Sequence, residues 1–131
     1  ILRCLVGSEM CIRDRFAREL KQLGCDFVDC SSGGNSPNRP PVGPGFPGYQ
    51  LPFSEQVRNE SDIPTIAVGM LRDYNLAEEA ISNGKADLIA LGRGMLYDSR
   101  WAWHAAHELG GKASYPNQYA RSEPEKWPKA F

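Results

Sequence analysis

Gly84-Lys85-Ala86-Asp87-Leu88-Ile89-Ala90-Leu91-Gly92-Arg93-Gly94 is the stretch on which the fold turns. The first glycine stops a helix. The apolar run 88–91 is too short for a helix and too dry for a loop, so it reads as a buried strand. It breaks into Gly92-Arg93-Gly94, and a new helical pattern begins near Ser99. Helix, buried strand, glycine loop and helix, in that order, are the grammar of a parallel sheet wound with helices. Such folds hold their ligands at the carboxyl ends of the strands. Gly92 lets a ligand approach the backbone, and Arg93 offers a planar, permanently charged fork suited to phosphate. The pair is a candidate anion site. The alternative is a glycine turn with a surface arginine, because short glycine motifs are weak signals.

The same pattern occurs earlier. Phe16, Leu20 and Leu23 share one helical face, and Gly24 ends the helix. Cys25-Asp26-Phe27-Val28-Asp29-Cys30 then reads as a strand running into Ser31-Ser32-Gly33-Gly34. Gly24-x-Asp26-Phe27-Val28 echoes Gly84-x-x-Asp87-Leu88-Ile89, so one helix–strand–glycine unit is repeated. Between the copies, 52–59 predicts a short helix with Phe53 and Val57 on one side, broken by Asp62-Ile63-Pro64. Thr65-Ile66-Ala67-Val68 is a β-branched strand ending at Gly69. Asn75-x-x-Glu78 has the form of a capping box. The helix after it uses Leu76, Ala77, Ala80 and Ile81. Past the last strand, Ala102, Ala105, Ala106 and Leu109 form a helical stripe that ends at Gly110-Gly111.

Three strands, near 27–30, 65–68 and 88–91, each followed by a helix, predict an α/β fold. It is either a (β/α) barrel or an open α/β sheet. Three strands cannot close a barrel of eight, so the expectation is the end of a larger domain.

Composition excludes several classes. A chain of 131 residues is one domain or part of one, and a net charge of −1 with mixed signs argues against a nucleic-acid binder. No apolar run approaches the ~18 residues of a membrane span. The cysteines at 4, 11, 25 and 30 lack zinc-type spacing and read as free thiols in a reducing, cytoplasmic compartment.

Residues 1–15 stand apart. Leu5-Val6-Gly7-Ser8-Glu9-Met10-Cys11-Ile12-Arg13-Asp14 has the look of a translated sequencing adaptor, which would start the native chain near Phe16. Residues 16–111 then carry the βα units. Residues 112–131, polar and interrupted by Pro116, Pro124 and Pro128, predict an extended tail in which Trp127 and Phe131 are free to dock. The loop 35–50, with five prolines and three glycines, offers Arg39, Tyr49 and Gln50 as polar or aromatic candidates; loop packing is the competing role for each. His104 and His107, at i and i+3, are half a metal site with nothing to complete it, and read as helix surface. Asp26 and Asp87 precede their strands, at the edge away from a ligand, and read as structural.

Five segments appear in a telling order: Asp29-Cys30-Ser31-Ser32-Gly33, Pro47-Gly48-Tyr49-Gln50-Leu51-Pro52-Phe53, Ile63-Pro64-Thr65-Ile66-Ala67-Val68-Gly69, Ala86-Asp87-Leu88-Ile89-Ala90-Leu91-Gly92-Arg93 and Gln118-Tyr119-Ala120-Arg121. Together they resemble the C-terminal part of the Old Yellow Enzyme family, FMN-dependent ene-reductases. The subgroup is the bacterial, thermophilic-like one, whose members are called NADPH dehydrogenase or NADH:flavin oxidoreductase. The resemblance spans roughly 16–121. It implies a (β/α)8 TIM barrel whose sixth to eighth strands are those seen here. It also implies FMN, with NADPH or NADH as hydride source, and an enone-type small molecule as substrate. By the same resemblance Gly69 ends the seventh strand, with its loop amides facing the FMN phosphate. Val68 and Met70 lie along the flavin edge, and Gly92 and Arg93 end the eighth strand at the phosphate. Arg121 matches an arginine that reaches a neighbouring subunit's active site, which implies a homo-oligomer. The family's His or His/Asn pair, its proton-donating Tyr and the subgroup's flavin-tuning Cys belong to earlier strands. No catalytic residue is therefore assigned in this chain, and Cys25 and Cys30 do not take the cysteine's role. Another phosphate-binding barrel, a lyase or isomerase, is the rival enzyme reading. A self-associating α/β fragment is the rival without catalysis.

Overall fold

The computed structural model describes residues 8–32 and 45–130, with side chains from Arg15 to Lys129. Arg39, Gly33, Gly34, Cys4 and Phe131 lie outside the described residues, as do the rest of 1–7 and the side chain of Cys11. The chain divides into two compact units that meet at the Gly92–Arg93 bond.

The first unit alternates helix and strand: α1 (Ser8–Gln22), β1 (Val28–Cys30), α2 (Leu51–Ser61), β2 (Thr65–Val68), α3 (Tyr74–Ser82) and β3 (Leu88–Ala90). The strands form one parallel sheet in the order β1-β2-β3. Val28 pairs with Thr65 and Cys30 with Ala67; Ile66 pairs with Leu88 and Val68 with Ala90. Parallel neighbours joined by helices are βα units, as the repeated glycine pattern predicts.

Side chains alternate across the sheet, so the register assigns its faces. Val28, Cys30, Thr65, Ala67 and Ile89 share one face. The helices pack there in two clusters. Ala17 of α1 and Val57 of α2 meet Cys30 and Ile63, while Leu51 of α2 and Ala80 of α3 meet Ala67, Leu71 and Ala86. The small residues at 67, 80 and 86 let helix and sheet backbones approach closely. Asp29, Ile66, Val68, Leu88 and Ala90 face the other way. None of the described helices of this unit packs on that face, and Leu88 is 45% exposed.

The second unit holds α4 (Arg93–Tyr97), α5 (Trp101–Glu108) and three 3-10 turns, at Asn117–Ser122, Pro124–Lys126 and Pro128–Ala130. Trp103 anchors it, its ring lying 4.6 Å from that of Tyr115 and 5.5 Å from that of Tyr119. The Arg100 guanidinium stacks on both Trp103 and Tyr119. Such stacking is a cation–π arrangement and fixes the first 3-10 turn against α5.

Several expectations are corrected. The first helix begins at Ser8, and it buries Ala17 while Leu23 of the expected apolar face is 84% exposed. The cap of α3 is Asp73, whose carboxylate accepts the Leu76 amide at 2.9 Å, rather than the Asn75 box. Asp73 has the extended backbone a capping residue needs. A short helix, α4, follows Gly92 directly where a loop was expected. On α5 only Ala105 of the predicted stripe is fully buried. The tail carries three 3-10 turns from Asn117 onward among the described residues.

Candidate functional site

Two turns lie side by side at the carboxyl edge of the sheet. Val68 and Ala90 are register partners, so the turn that starts at Gly69 and the one that starts at Leu91 leave adjacent strands at the same level. The two turns are built differently. Gly69 has φ +125, and a Cβ there would come within 3.1 Å of the Tyr49 ring and 3.2 Å of Gln50 Nε2, so only glycine fits. Met70 follows with φ 56, in the left-handed region that few side chains adopt. Among the described residues nothing lies within 4 Å of where a Cβ on Gly92 would stand.

The 48–50 turn braces the first of these. The Gly48 amide donates to the Gly69 carbonyl at 2.9 Å. Gln50, only 3% exposed, donates from Nε2 to the Val68 carbonyl at 3.3 Å and accepts at Oε1 from Ser32 N at 2.5 Å and Ser32 Oγ at 2.9 Å. A buried amide with both ends paired costs little to keep and fixes what it touches. Gln50 thus ties the end of β1 to the end of β2. Of the three loop candidates, Gln50 and Tyr49 reach this edge and Arg39 lies outside the described residues. Ser32 was named only within Asp29-Cys30-Ser31-Ser32-Gly33, with no role of its own.

Arg93 opens α4 in the second unit, exposed and without an ion pair to any described residue. Arg121 lies in the Asn117–Ser122 turn and is likewise exposed. His104 Nδ1 faces Asp98 Oδ2 at 2.7 Å. Among the described residues no group of three metal-ligating side chains occurs.

The opposite edge is structural. Asp87, just before β3, takes the Thr65 amide at 2.9 Å and the Arg58 Nε at 3.1 Å. Cys25 and Cys30 form no disulfide with each other, and Cys30 is buried.

A parallel βα sheet with its bare glycine turns gathered at the carboxyl edge belongs to the class of α/β proteins that seat ligands at that edge. Residues 6–111 match the NADH:flavin oxidoreductase / NADH oxidase family, and the chain belongs to that family. It is 46% identical over 106 residues to an NADPH dehydrogenase of Geobacillus thermodenitrificans, covering 81% of this chain and 30% of the relative. It is 44% identical over 106 residues to an NADPH dehydrogenase of Bacillus subtilis, with the same coverage. A third, from Halalkalibacterium halodurans, is 41% identical over 116 residues, covering 88% of this chain and 33% of the relative. The chain thus spans about a third or less of the length of these relatives.

Proposed function

We propose that this chain is the C-terminal part of an FMN-dependent NAD(P)H oxidoreductase that reduces activated alkenes, the α,β-unsaturated carbonyls, and that it carries the phosphate end of the flavin site. The observation that carries the proposal is the pairing of Val68 with Ala90, which sets the Gly69 and Gly92 turns next to each other. The residues suit a flavin phosphate. Backbone amides at glycine turns and the guanidinium of Arg93, which has no ion pair among the described residues, are donor types that an anion takes.

Gly69, Met70, Gly92 and Arg93 would hold the phosphate. When bound, FMN supplies hydride chemistry: it takes hydride from NADPH or NADH and gives it to the alkene β-carbon. The part of this chain is to bind and orient. Amides and guanidinium fix the phosphate end, and a fixed end sets where the reactive ring lies. Arg121 is assigned to the substrate site of a neighbouring subunit in a homo-oligomeric, cytoplasmic parent. The strands are read as the last three of an eight-stranded barrel. In support, the described helices of this unit pack on one face of the sheet and the strand order does not reverse, as in a run of barrel strands.

The chain alone should lack turnover, since no proton donor or carbonyl-binding pair is assigned within it. The test has two arms. The purified chain is assayed for NADPH oxidation coupled to reduction of a cyclic enone, and the full-length parent is purified and its absorbance recorded. A yellow, active parent and an inactive chain are expected. Turnover by the chain alone overturns its inactivity, and a colourless parent overturns the flavin reading.

The open sheet face favours a second reading, a fragment that self-associates through it. Concentration-dependent size without flavin affinity would select that reading.

A further inference from the structure

We infer that Arg100 is a positioning residue for Arg121, holding the turn that carries it against α5; the part Arg121 plays, in a substrate site, rests on the function proposed above. The inference starts from how little holds that turn. Asn117–Ser122 is six residues of 3-10 helix. Such helices have poor hydrogen-bond geometry and rarely run beyond about four residues. Tyr119 N donates to the Pro116 carbonyl at 2.8 Å and Ser122 Oγ to the Tyr119 carbonyl at 2.7 Å. Both bonds close the turn on itself, and neither reaches α5. What reaches α5 is the Tyr119 ring, 5.5 Å from the ring of Trp103. The Arg100 guanidinium lies 4.3 Å from the centre of Tyr119 and 4.8 Å from that of Trp103. One cation thus serves a ring on each element, and it is attracted to both faces. No ion pair with a described carboxylate competes for it.

Arg100 is itself held at its backbone. Its amide donates to Asp98 Oδ1 at 3.0 Å, and its carbonyl accepts the Trp103 and His104 amides at 2.9 and 3.1 Å. The other Asp98 oxygen lies 2.7 Å from His104 Nδ1, so one carboxylate ties the entry of α5 to its first turn. Arg121 follows Tyr119 by two residues. At three residues per turn, side chains two apart point about 120° from each other. With Tyr119 turned to Trp103 and Arg100, Arg121 is presented to the side, and it is exposed. A side chain offered from a fixed turn loses less freedom on binding than one offered from a loose turn. Arg100 itself need not touch a substrate.

The test uses the labelled 131-residue chain for amide NMR and the full-length parent for kinetics with a cyclic enone. Arg100→Gln keeps a flexible polar side chain and removes the cation, while Arg100→Lys keeps a cation near the rings. In Arg100→Gln the Tyr119 and Arg121 amides should shift, with those of 65–67 unchanged. In the parent it should raise KM for the enone about five-fold and change kcat less, the size of an exposed cation–π contact. Arg100→Lys should recover part of both effects. In an Arg121→Gln background the Arg100→Gln effect on KM should vanish, because it acts only through Arg121. Should Arg100→Gln fail to fold, Tyr119→Leu removes the ring on the turn and should give the same pattern in the Arg121 amide and in KM. Unmoved Tyr119 and Arg121 amides in a folded Arg100→Gln chain overturn the inference, and so does an undiminished effect on KM in the Arg121→Gln background. If the amides move but Arg121→Gln alone leaves KM at the wild-type value, the clamp stands and the substrate-site assignment of Arg121 fails.

Discussion

Arg58 and Asp87 close the amino-terminal edge of the sheet: Arg58 Nε lies 3.1 Å from each carboxylate oxygen of Asp87, and Arg58 Nη1 reaches the Gly84 carbonyl at 3.3 Å. Asp87 also receives the amide of the fully buried Thr65 and returns its own amide to the Thr65 carbonyl. The ion pair is half-exposed, so its charge contributes little. The buried amide matters more, because an unpaired donor costs about 1–3 kcal/mol. Asp87→Asn, which keeps an acceptor, should therefore cost much less than Asp87→Ala. Urea unfolding of both variants measures the order. Equal losses would mean that the charge, not the Thr65 amide, dominates.

Thr65 carries a second consequence. Its Oγ1 is buried and has no partner among the described residues. Such a hydroxyl is a net cost, and valine has the same branched shape without it. Thr65→Val should stabilise the chain by about 1 kcal/mol. A melting temperature that falls on substitution would show that the hydroxyl is satisfied in solution.

These two residues also mark what sequence can show. Thr65-Ile66-Ala67-Val68 and the helix before it were legible because β-branched runs, 3.6-residue spacing and a Pro-containing break are local signals. Asp87 was read as structural from its place ahead of the strand, and its bonds agree. Gly92 and Arg93 were legible as a motif, but what lies around them was not. Of the α1 face read from periodicity, Leu20 is half-buried beside the buried Ala17 while Phe16 and Leu23 are exposed, because periodicity tells which side is apolar, not what covers it. Asp73 and Asn75 are equally good caps by composition, and backbone dihedrals choose between them. The five residues of α4 are too few for a period. Gln50 was visible as a polar loop residue, while its burial depends on Ser32 and Val68, 18 residues away on either side.

The two glycines of the candidate site should separate folding from binding. Gly69→Ala puts a Cβ against Tyr49 and Gln50 at a backbone angle suited to glycine, and should cost more than about 1 kcal/mol. Gly92→Ala meets nothing among the described residues and should leave stability within about 0.5 kcal/mol. In the parent, both should weaken flavin retention, the first through the turn and the second by filling the space a ligand approaches. Thermal melts with and without added FMN read both quantities. A Gly92→Ala parent that retains flavin like wild type would remove Gly92 from the site.

Asp62 should make stability acid-sensitive in a defined direction. It sits at the end of α2 with φ 50, and Lys21 of α1 lies 2.6 Å from its carboxylate and also donates to its carbonyl. The hydrogen bond from the Lys21 ammonium, then its charge, holds the Asp62 carboxyl below the ordinary 3.8. A carboxyl whose folded value is depressed binds protons more readily in the unfolded chain. Its contribution is therefore complete above the unfolded value and is lost as pH falls through the folded one. Asp62→Asn removes the charge and tolerates the left-handed backbone, since Asn adopts it readily. The wild type should melt slightly above this variant near neutral pH, and the gap should close as pH drops below 3.8. Molar salt should shrink the gap at neutral pH, because both groups are solvent-exposed. A gap that persists in strong acid would assign the Asn effect to backbone geometry and leave the Lys21 contact without a share in stability.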